Sequence, residues 1–426
     1  MHRPPLTRRR FLATTSVALA APMVLANPAS ARRVVTNEQI TIGIIGMGIR
    51  GRNIFNSYFK ANDRARVLAV CDCDTIRREH WQAKINEAYA TTECAVYLDY
   101  HELLARDDID AVVIATPDHW HTTMCIDAAI AGKDIYCEKP LTHSLEESRL
   151  IIEAVRAHDC VFQTGSQQRT EYGHKFVQAV EYVRNGRIGK LISCHVGVGD
   201  HPIPCDLPEE APEPGLDWDR WLGPAPVRPY NSILSPRGVI THYPAWRAYT
   251  EYSGGYFADM GAHHYDIAQW GIDADTSGPF EVLPPLDPAS SRGAKLRFES
   301  GVEIHHGGPT GTTFVGETGM LHVDRGRIVP VPGTLFDTPI GEGDLHLPRH
   351  ADHVENWLDC IHSRKRPICG VEVGARTSAL CHLVNLAYKL RRPLRWDWRN
   401  WRFEDDAEAN ALLDCSYRPG YELPGV

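Results

Sequence analysis

The chain has 426 residues, 43% of them apolar and 23% charged, with 34 Gly, 29 Pro, 12 Cys and a formal net charge of −9. At about 100–200 residues per domain this predicts two domains or three, and it excludes a disulfide-stapled miniprotein, a collagen-like chain and an intrinsically disordered one. The acidic balance, with no long basic run beyond the extreme N-terminus, excludes a nucleic-acid reader.

At the N-terminus, Thr7-Arg8-Arg9-Arg10-Phe11-Leu12 reads as a twin-arginine export signature. The apolar run Leu12 to Ala26 has the length of a signal core and is short for a bilayer span. Ala29-Ser30-Ala31 offers an A-x-A cleavage site, with Val24-Leu25-Ala26 as second choice. Residues 1–31 are therefore expected to be a removable signal that places the protein in the periplasm or otherwise outside the cytoplasm. No later run of about 18 apolar residues follows, so the mature chain is not expected to enter a membrane. The cysteines are scattered, without any C-x-x-C, and are expected to be mostly buried free thiols.

The body opens on Gln39 to Ile45, a short β-branched run that predicts a buried parallel strand. Gly46-Met47-Gly48-Ile49-Arg50-Gly51 follows at once, then a helical stretch through Phe59 and a second strand, Arg66 to Cys71, ending in Asp72. Strand, G-x-G-x-x-G and helix in this order predict a dinucleotide site. Gly46 permits the tight turn, Gly48 lets backbone approach a pyrophosphate, and Gly51 allows close helix–strand packing. Ile49 and Arg50 open the helix whose free N–H groups face the phosphates. Asp72, 21 residues beyond Gly51, is placed to hold the ribose hydroxyls of NAD and to repel the 2′-phosphate of NADP. Arg77 and Arg78 lie near enough to blur that choice.

Further strands are predicted at Ala111–Thr116, Asp134–Cys137 and Cys160–Thr164, with a helix over Ser144–Ala157. Ligands of open parallel sheets bind at the carboxyl ends of the strands. Thr116, Pro117 and His121 after one strand, and Glu138 and Lys139 after the next, are therefore assigned to the cofactor crevice, with Trp120 able to cover the nicotinamide or a sugar face. From Leu191 the pattern turns to alternation, with strands expected at Leu191–Val198, Ala294–Phe298, Val302–His306 and Met320–Val323. A Pro-rich insertion, Pro202 to Pro236, is expected across one sheet edge, anchored by Trp218 and Trp221. Asp352 to Leu390 reads as helical, followed by an aromatic tail carrying Trp396, Trp398 and Trp401. The predicted class is an α/β Rossmann domain (37–164), then an α+β domain with a large, open, mostly antiparallel sheet (165–390) and a C-terminal tail (391–426).

In Gly254-Gly255-Tyr256-Phe257-Ala258-Asp259 the chain turns into a helix on which Asp259, His263 and Asp266 share a face. His263 is the candidate general base, because an imidazole near pKa 6.5 suits proton removal at neutral pH. His264 points about 100° away. A metal on this face lacks a further ligand from another element, and none is expected.

Together these motifs resemble the glucose–fructose oxidoreductase, inositol dehydrogenase and rhizopine-catabolism family (Gfo/Idh/MocA). The likeness rests on the glycine loop, TPDHWH (116–121), EKP (138–140), GSQQR (165–169), D-x-G-x-H-x-x-D (259–266), FVGETGMLHVDRG (314–326) and His350 to Asn385. It implies that Lys139 hydrogen-bonds the reacting hydroxyl, with Asp259 and His263 as catalytic companions. It places Gln168 at the cofactor, and Arg169, Trp246, Arg247 and His264 at the substrate. It also implies a homodimer or homotetramer and an NAD-dependent oxidoreductase of a sugar or glycoside. Because exported nicotinamide cofactor cannot be exchanged, it is expected to stay bound and be reset within each cycle. A second sugar could take the hydride; alternatively a transient 3-keto group could drive elimination and net glycoside hydrolysis. A non-catalytic nicotinamide or sugar sensor is a third reading, disfavoured by the intact Lys139–Asp259–His263 set.

Overall fold

A computed structural model describes residues 39–425. The twin-arginine signature and both cleavage sites lie outside the described residues. The first half is a six-stranded parallel sheet: β1 (Ile40–Ile45), β2 (Ala65–Cys71), β3 (Ala95–Tyr97), β4 (Ala111–Ile114), β5 (Asp134–Cys137) and β6 (Phe162–Thr164), in the order β3-β2-β1-β4-β5-β6. Every residue of β4, β5 and β6 is buried, as strands of a parallel sheet covered on both faces are. The intervening helices are α1 (Ile49–Ile54), continued by a wider turn to Phe59, α2 (Thr75–Tyr89), α3 (Tyr100–Leu104), α4 (His121–Ile130) and α5 (Leu145–Ala157). Asp74 caps α2 and Ser144 caps α5, each side chain accepting from backbone N–H groups of the first turn. These caps fix where the chain leaves the crevice end of the sheet.

The second half holds a larger antiparallel sheet: β7 (Leu191–Gly197), β8 (Glu281–Leu283), β9 (Lys295–Arg297), β10 (Glu303–Gly316), β11 (Met320–Val323), β12 (Ile328–Val331), β13 (Leu394–Asp397) and β14 (Arg402–Phe403). One face of it packs on α6 (Lys175–Arg184) and α8 (Gly255–Gly271). α8 is buried over nearly its whole length. The chain also forms the short α7 (Trp218–Leu222) and, near its end, α9 (His353–Ser363) and α10 (Val371–Leu390). α10 packs on α5 from the first half and α8 from the second. A Cβ on Gly374 would sit 2.1 Å from Thr164 Oγ1, so this helix lies directly on β6.

Three expectations need correction. The strand expected at 302–306 is the start of a 14-residue one, Glu303–Gly316: Gly307, Gly308 and Gly311 take positive φ and carry β10 on through register shifts. The helical run to Leu390 breaks after Ser363, where Arg364 is left-handed and Pro367 follows. The Pro-rich insertion does not cross an edge of the antiparallel sheet. It folds back onto the crevice end of the parallel one, where Asp74 bridges Leu216, and Arg77 donates to Gly238 O and Ser235 Oγ, both at 3.2 Å. Within it Trp218 and Trp221 stack at 4.6 Å. All twelve cysteines are free thiols, and eight are buried. The tail returns to the body, with Leu413 O accepting from Glu146 N and Tyr421 packed edge-on to Trp120.

Candidate active site

A single cavity of about 400 Å³ runs from the glycine loop to α8. At one end Gly46 has φ +90°, and a Cβ there would meet the Ala115 carbonyl at 2.8 Å; one on Gly51 would lie 2.1 Å from Gly46 O. Both positions exclude a side chain. Gly48 faces open cavity, its nearest obstacle being Ile240 Cδ1 at 3.8 Å. α1 begins here with no side-chain cap, leaving its first N–H groups to a ligand. Asp72 is oriented by two backbone donors, Met47 N at 2.8 Å and Asp74 N at 2.9 Å. A cleft that rejects a Cβ at two glycines, offers uncapped N–H groups and ends in a fixed carboxylate fits the pyrophosphate and ribose of NAD. Arg77 is spent on the insertion, and Arg78 donates to the Asp72 carbonyl at 3.1 Å, so the structure engages both arginines elsewhere.

The other end is built from the loop after β5 and the first turns of α8. Lys139, whose peptide bond to Pro140 is cis, places Nζ 2.6 Å from Asp259 Oδ1 and 2.8 Å from Asp259 O. Arg247 Nε lies 3.5 Å from the same carboxylate. Burial works to raise the Asp259 pKa, but Lys139 and Arg247 outweigh it and hold the carboxyl below its usual range. One turn along α8, His263 is buried. Burial first, then the charges of Lys139 and Arg325, push its pKa well below the ordinary imidazole value, so the ring is neutral at neutral pH. Its Nδ1 is buried without a hydrogen-bond partner, which leaves Nε2 as the nitrogen available to a ligand. Glu138 turns away from the reacting end, accepting from Arg50 Nε at 2.8 Å and Gln167 Nε2 at 2.9 Å.

Gly46, Gly48, Ile49, Arg50, Asp72, Thr116, Pro117, Glu138, Lys139, Trp246, Arg247, Asp259 and His263 all line this cavity. Gly51 supports it from beneath. Four residues assigned to ligands stand behind the wall instead. Arg169, 1% exposed, is locked to Asp266 and Asp275 by bonds of 2.7–3.1 Å; Asp266, two turns along α8 from Asp259, is thus spent on a buried ion pair behind the cavity. His264 is buried against Thr312 Oγ1 at 3.2 Å. Gln168 donates to His263 O at 3.4 Å and accepts from Arg325 Nε at 3.3 Å. His121 sits between Pro140 O (2.8 Å) and Thr116 O (3.0 Å) and braces the two strand-end loops against each other. Sequence reasoning missed Arg325 and Tyr172, which also line the cavity. Arg325 lies in the run FVGETGMLHVDRG (314–326), but nothing local says that the β11–β12 turn reaches α8. Trp221 both anchors the insertion and lines the cavity. Among the described residues no cluster of metal-ligating side chains occurs, and no helix is long and apolar enough to cross a membrane.

Fold and site define a Rossmann-type NAD-binding protein. Residues 40–166 match the profile described as "Oxidoreductase family, NAD-binding Rossmann fold", and residues 204–423 match "Oxidoreductase family, C-terminal alpha/beta domain". The chain belongs to the Gfo/Idh/MocA oxidoreductase family. It is 30% identical over 207 residues to "Glycosyl hydrolase family 109 protein 2" of Shewanella sp. (strain ANA-3), covering 43% of this chain and 44% of that protein. It is 28% identical over 268 residues to "Myo-inositol 2-dehydrogenase" of Thermotoga maritima, covering 61% and 65%. The chain thus spans less than half of the first relative. Among solved structures, the WlbA dehydrogenase of Bordetella pertussis, crystallised with NADH and UDP-GlcNAcA, superposes with a TM-score of 0.60 at 18% identity, over 85% of this chain and 99% of that one.

Proposed function

We propose that this protein oxidises a hydroxyl, at ring carbon three, of a sugar or glycoside, using an NAD that stays bound and is reset within each cycle. The observation that carries this reading is the convergence of Lys139, Asp259 and His263 on the cavity that begins at the glycine loop. Gly46, Gly48, Ile49 and Asp72 hold NAD, which supplies a two-electron acceptor for the carbinol C–H and, on the return step, the matching donor. Lys139 Nζ, anchored by Asp259, donates to the substrate oxygen and stabilises the negative charge it acquires as its proton leaves. Neutral His263 receives that proton on Nε2. Trp246 and Arg247, stacked at 4.1 Å, form a flat wall suited to a sugar ring.

Net glycoside hydrolysis is a second reading, favoured by the relatives named glycosyl hydrolase family 109 and alpha-N-acetylgalactosaminidase. In that version the ketone acidifies the neighbouring C–H, a base removes that proton, the C1–O bond breaks, water adds, and reduction restores the alcohol. Export by the twin-arginine route belongs to this proposal, since it demands a captive cofactor. So does a homodimer or homotetramer built on the outer sheet face, where Met320, Val329 and Val331 are exposed.

Mass spectrometry of freshly purified, denatured protein is expected to release about one NAD per chain. Incubation with glycosides in deuterated water is expected to label the carbon next to carbon three if elimination occurs, and to leave it unlabelled if a second sugar takes the hydride. Protein that neither carries nor binds NAD contradicts both versions.

A further inference from the structure

The charges around His263 do not pair off evenly. Lys139 is matched by Asp259 at 2.6 Å and Arg50 by Glu138 at 2.8 Å, while Arg247 shares Asp259 at 3.5 Å. Asp118, the remaining carboxyl of this wall, accepts from Ser253 Oγ at 2.6 Å. Arg325 forms no ion pair among the described residues. Its Nε donates to Gln168 Oε1 at 3.3 Å, and its guanidinium lies 5.0 Å from the centre of the Tyr172 ring. Arg325 is half-buried, whereas Arg50 Nη2 is buried with no hydrogen-bond partner. Both guanidiniums line one cavity: Arg325 brings a cation with no carboxylate partner, and the buried Arg50 donor is costly to leave unpaired unless a ligand supplies the acceptor.

We infer that the substrate is an acidic sugar, such as a uronic acid or its glycoside, whose carboxylate is held by Arg325 with help from Arg50 Nη2 while Lys139 and His263 address the hydroxyl. The planar fork of Arg matches a carboxylate's two oxygens. Gln168, which bonds both Arg325 and the His263 carbonyl, ties the anion-binding group to the helix that carries the imidazole. Arg325 also lies close enough to lower the His263 pKa, so a carboxylate bound to it keeps charge near the base balanced. The inference rests on the sugar-oxidoreductase reading and narrows its substrate class.

The test measures equilibrium binding to NAD-loaded protein by calorimetry, with acid–neutral pairs as probes: glucuronate and glucose, galacturonate and galactose, and their methyl glycosides. At least one acid is expected to bind 10-fold or more tightly than its neutral partner. Arg325→Gln is expected to cut that preference about 10–100-fold, and Arg325→Lys to restore part of it, with NAD content unchanged in both. A panel in which no acid exceeds its neutral partner overturns the inference, as does a preference untouched by Arg325→Gln. Loss of NAD from Arg325→Gln assigns the charge to the dinucleotide and overturns it too. The broader reading fails separately, if acids bind tightly yet no sugar reduces the bound nicotinamide.

Discussion

Lys139 and His263 reach the same cavity from different parts of the chain, one from a strand end and one from a helix 124 positions further on. Their roles differ by charge: the ammonium is fixed by Asp259, while the imidazole is kept neutral and unbonded at Nδ1. Lys139→Ala and His263→Ala are each expected to lower turnover about 10²–10⁴-fold while dinucleotide fluorescence persists; near-normal turnover in either variant would move the chemistry to other residues. Asp72→Ala removes the acceptor of Met47 N and of the ribose hydroxyls, so NAD affinity should fall about 10–100-fold in equilibrium titration. The residue scale is also where sequence reading was most uneven. Arg169 ends GSQQR and Arg325 lies in FVGETGMLHVDRG, yet Arg169 is consumed by Asp266, 97 positions away, while Arg325 meets no carboxylate among the described residues. Nothing local distinguishes a buried ion pair from a ligand-binding guanidinium when the partner is that distant.

Elements were legible where burial imposes a pattern. The runs 40–45 and 111–114 are rich in β-branched and apolar residues because helices cover both faces of the sheet. The glycine loop was legible because sterics leave no substitute: Gly51→Ala sets a Cβ against the Gly46 carbonyl and should lower stability by about 1–3 kcal/mol or more in denaturant titration, together with NAD binding. The path of the insertion was not legible, since its segments lack periodicity. It is held over the cavity chiefly by side chains that donate to backbone carbonyls, contacts that carry no sequence signal. Arg77 reaches Gly238 O and Pro236 O, and Arg52 reaches Ile240 O at 3.0 Å. Because Leu234, Ser235, Pro236 and Ile240 form the wall facing the dinucleotide cleft, Arg77→Ala should loosen this strap and speed NAD release about 10-fold or more, as followed by stopped-flow competition. Release at the parental rate would show that the strap does not retain the cofactor.

At the scale of the whole molecule, many imidazoles are interior. Burial pushes His119, His264, His306 and His382 down to about 3 and His353 to about 4. In the unfolded chain the same groups titrate near 6.5. Below that value the unfolded state binds more protons than the folded one, so stability falls as the pH drops, each histidine contributing up to about 1.4 kcal/mol per pH unit until its folded pKa is reached. Denaturant titrations from pH 7 to pH 4 should therefore show a steep loss of stability beginning near pH 6.5; a flat profile would mean that these rings protonate without unfolding. Two sheets sharing α10 were legible as a class, whereas their mutual fit, made by contacts such as Gly374 on Thr164, was not. That fit brings the α8 groups to the β5 strand end. The most direct measurement is a single-turnover experiment on NAD-loaded protein, mixing it with acidic and neutral sugars and glycosides and following the near-ultraviolet absorbance of reduced nicotinamide. Formation of one reduced nicotinamide per chain, lost in Lys139→Ala and His263→Ala that still hold NAD, is the predicted result. Equal formation in both variants, or none from any sugar, would contradict the account.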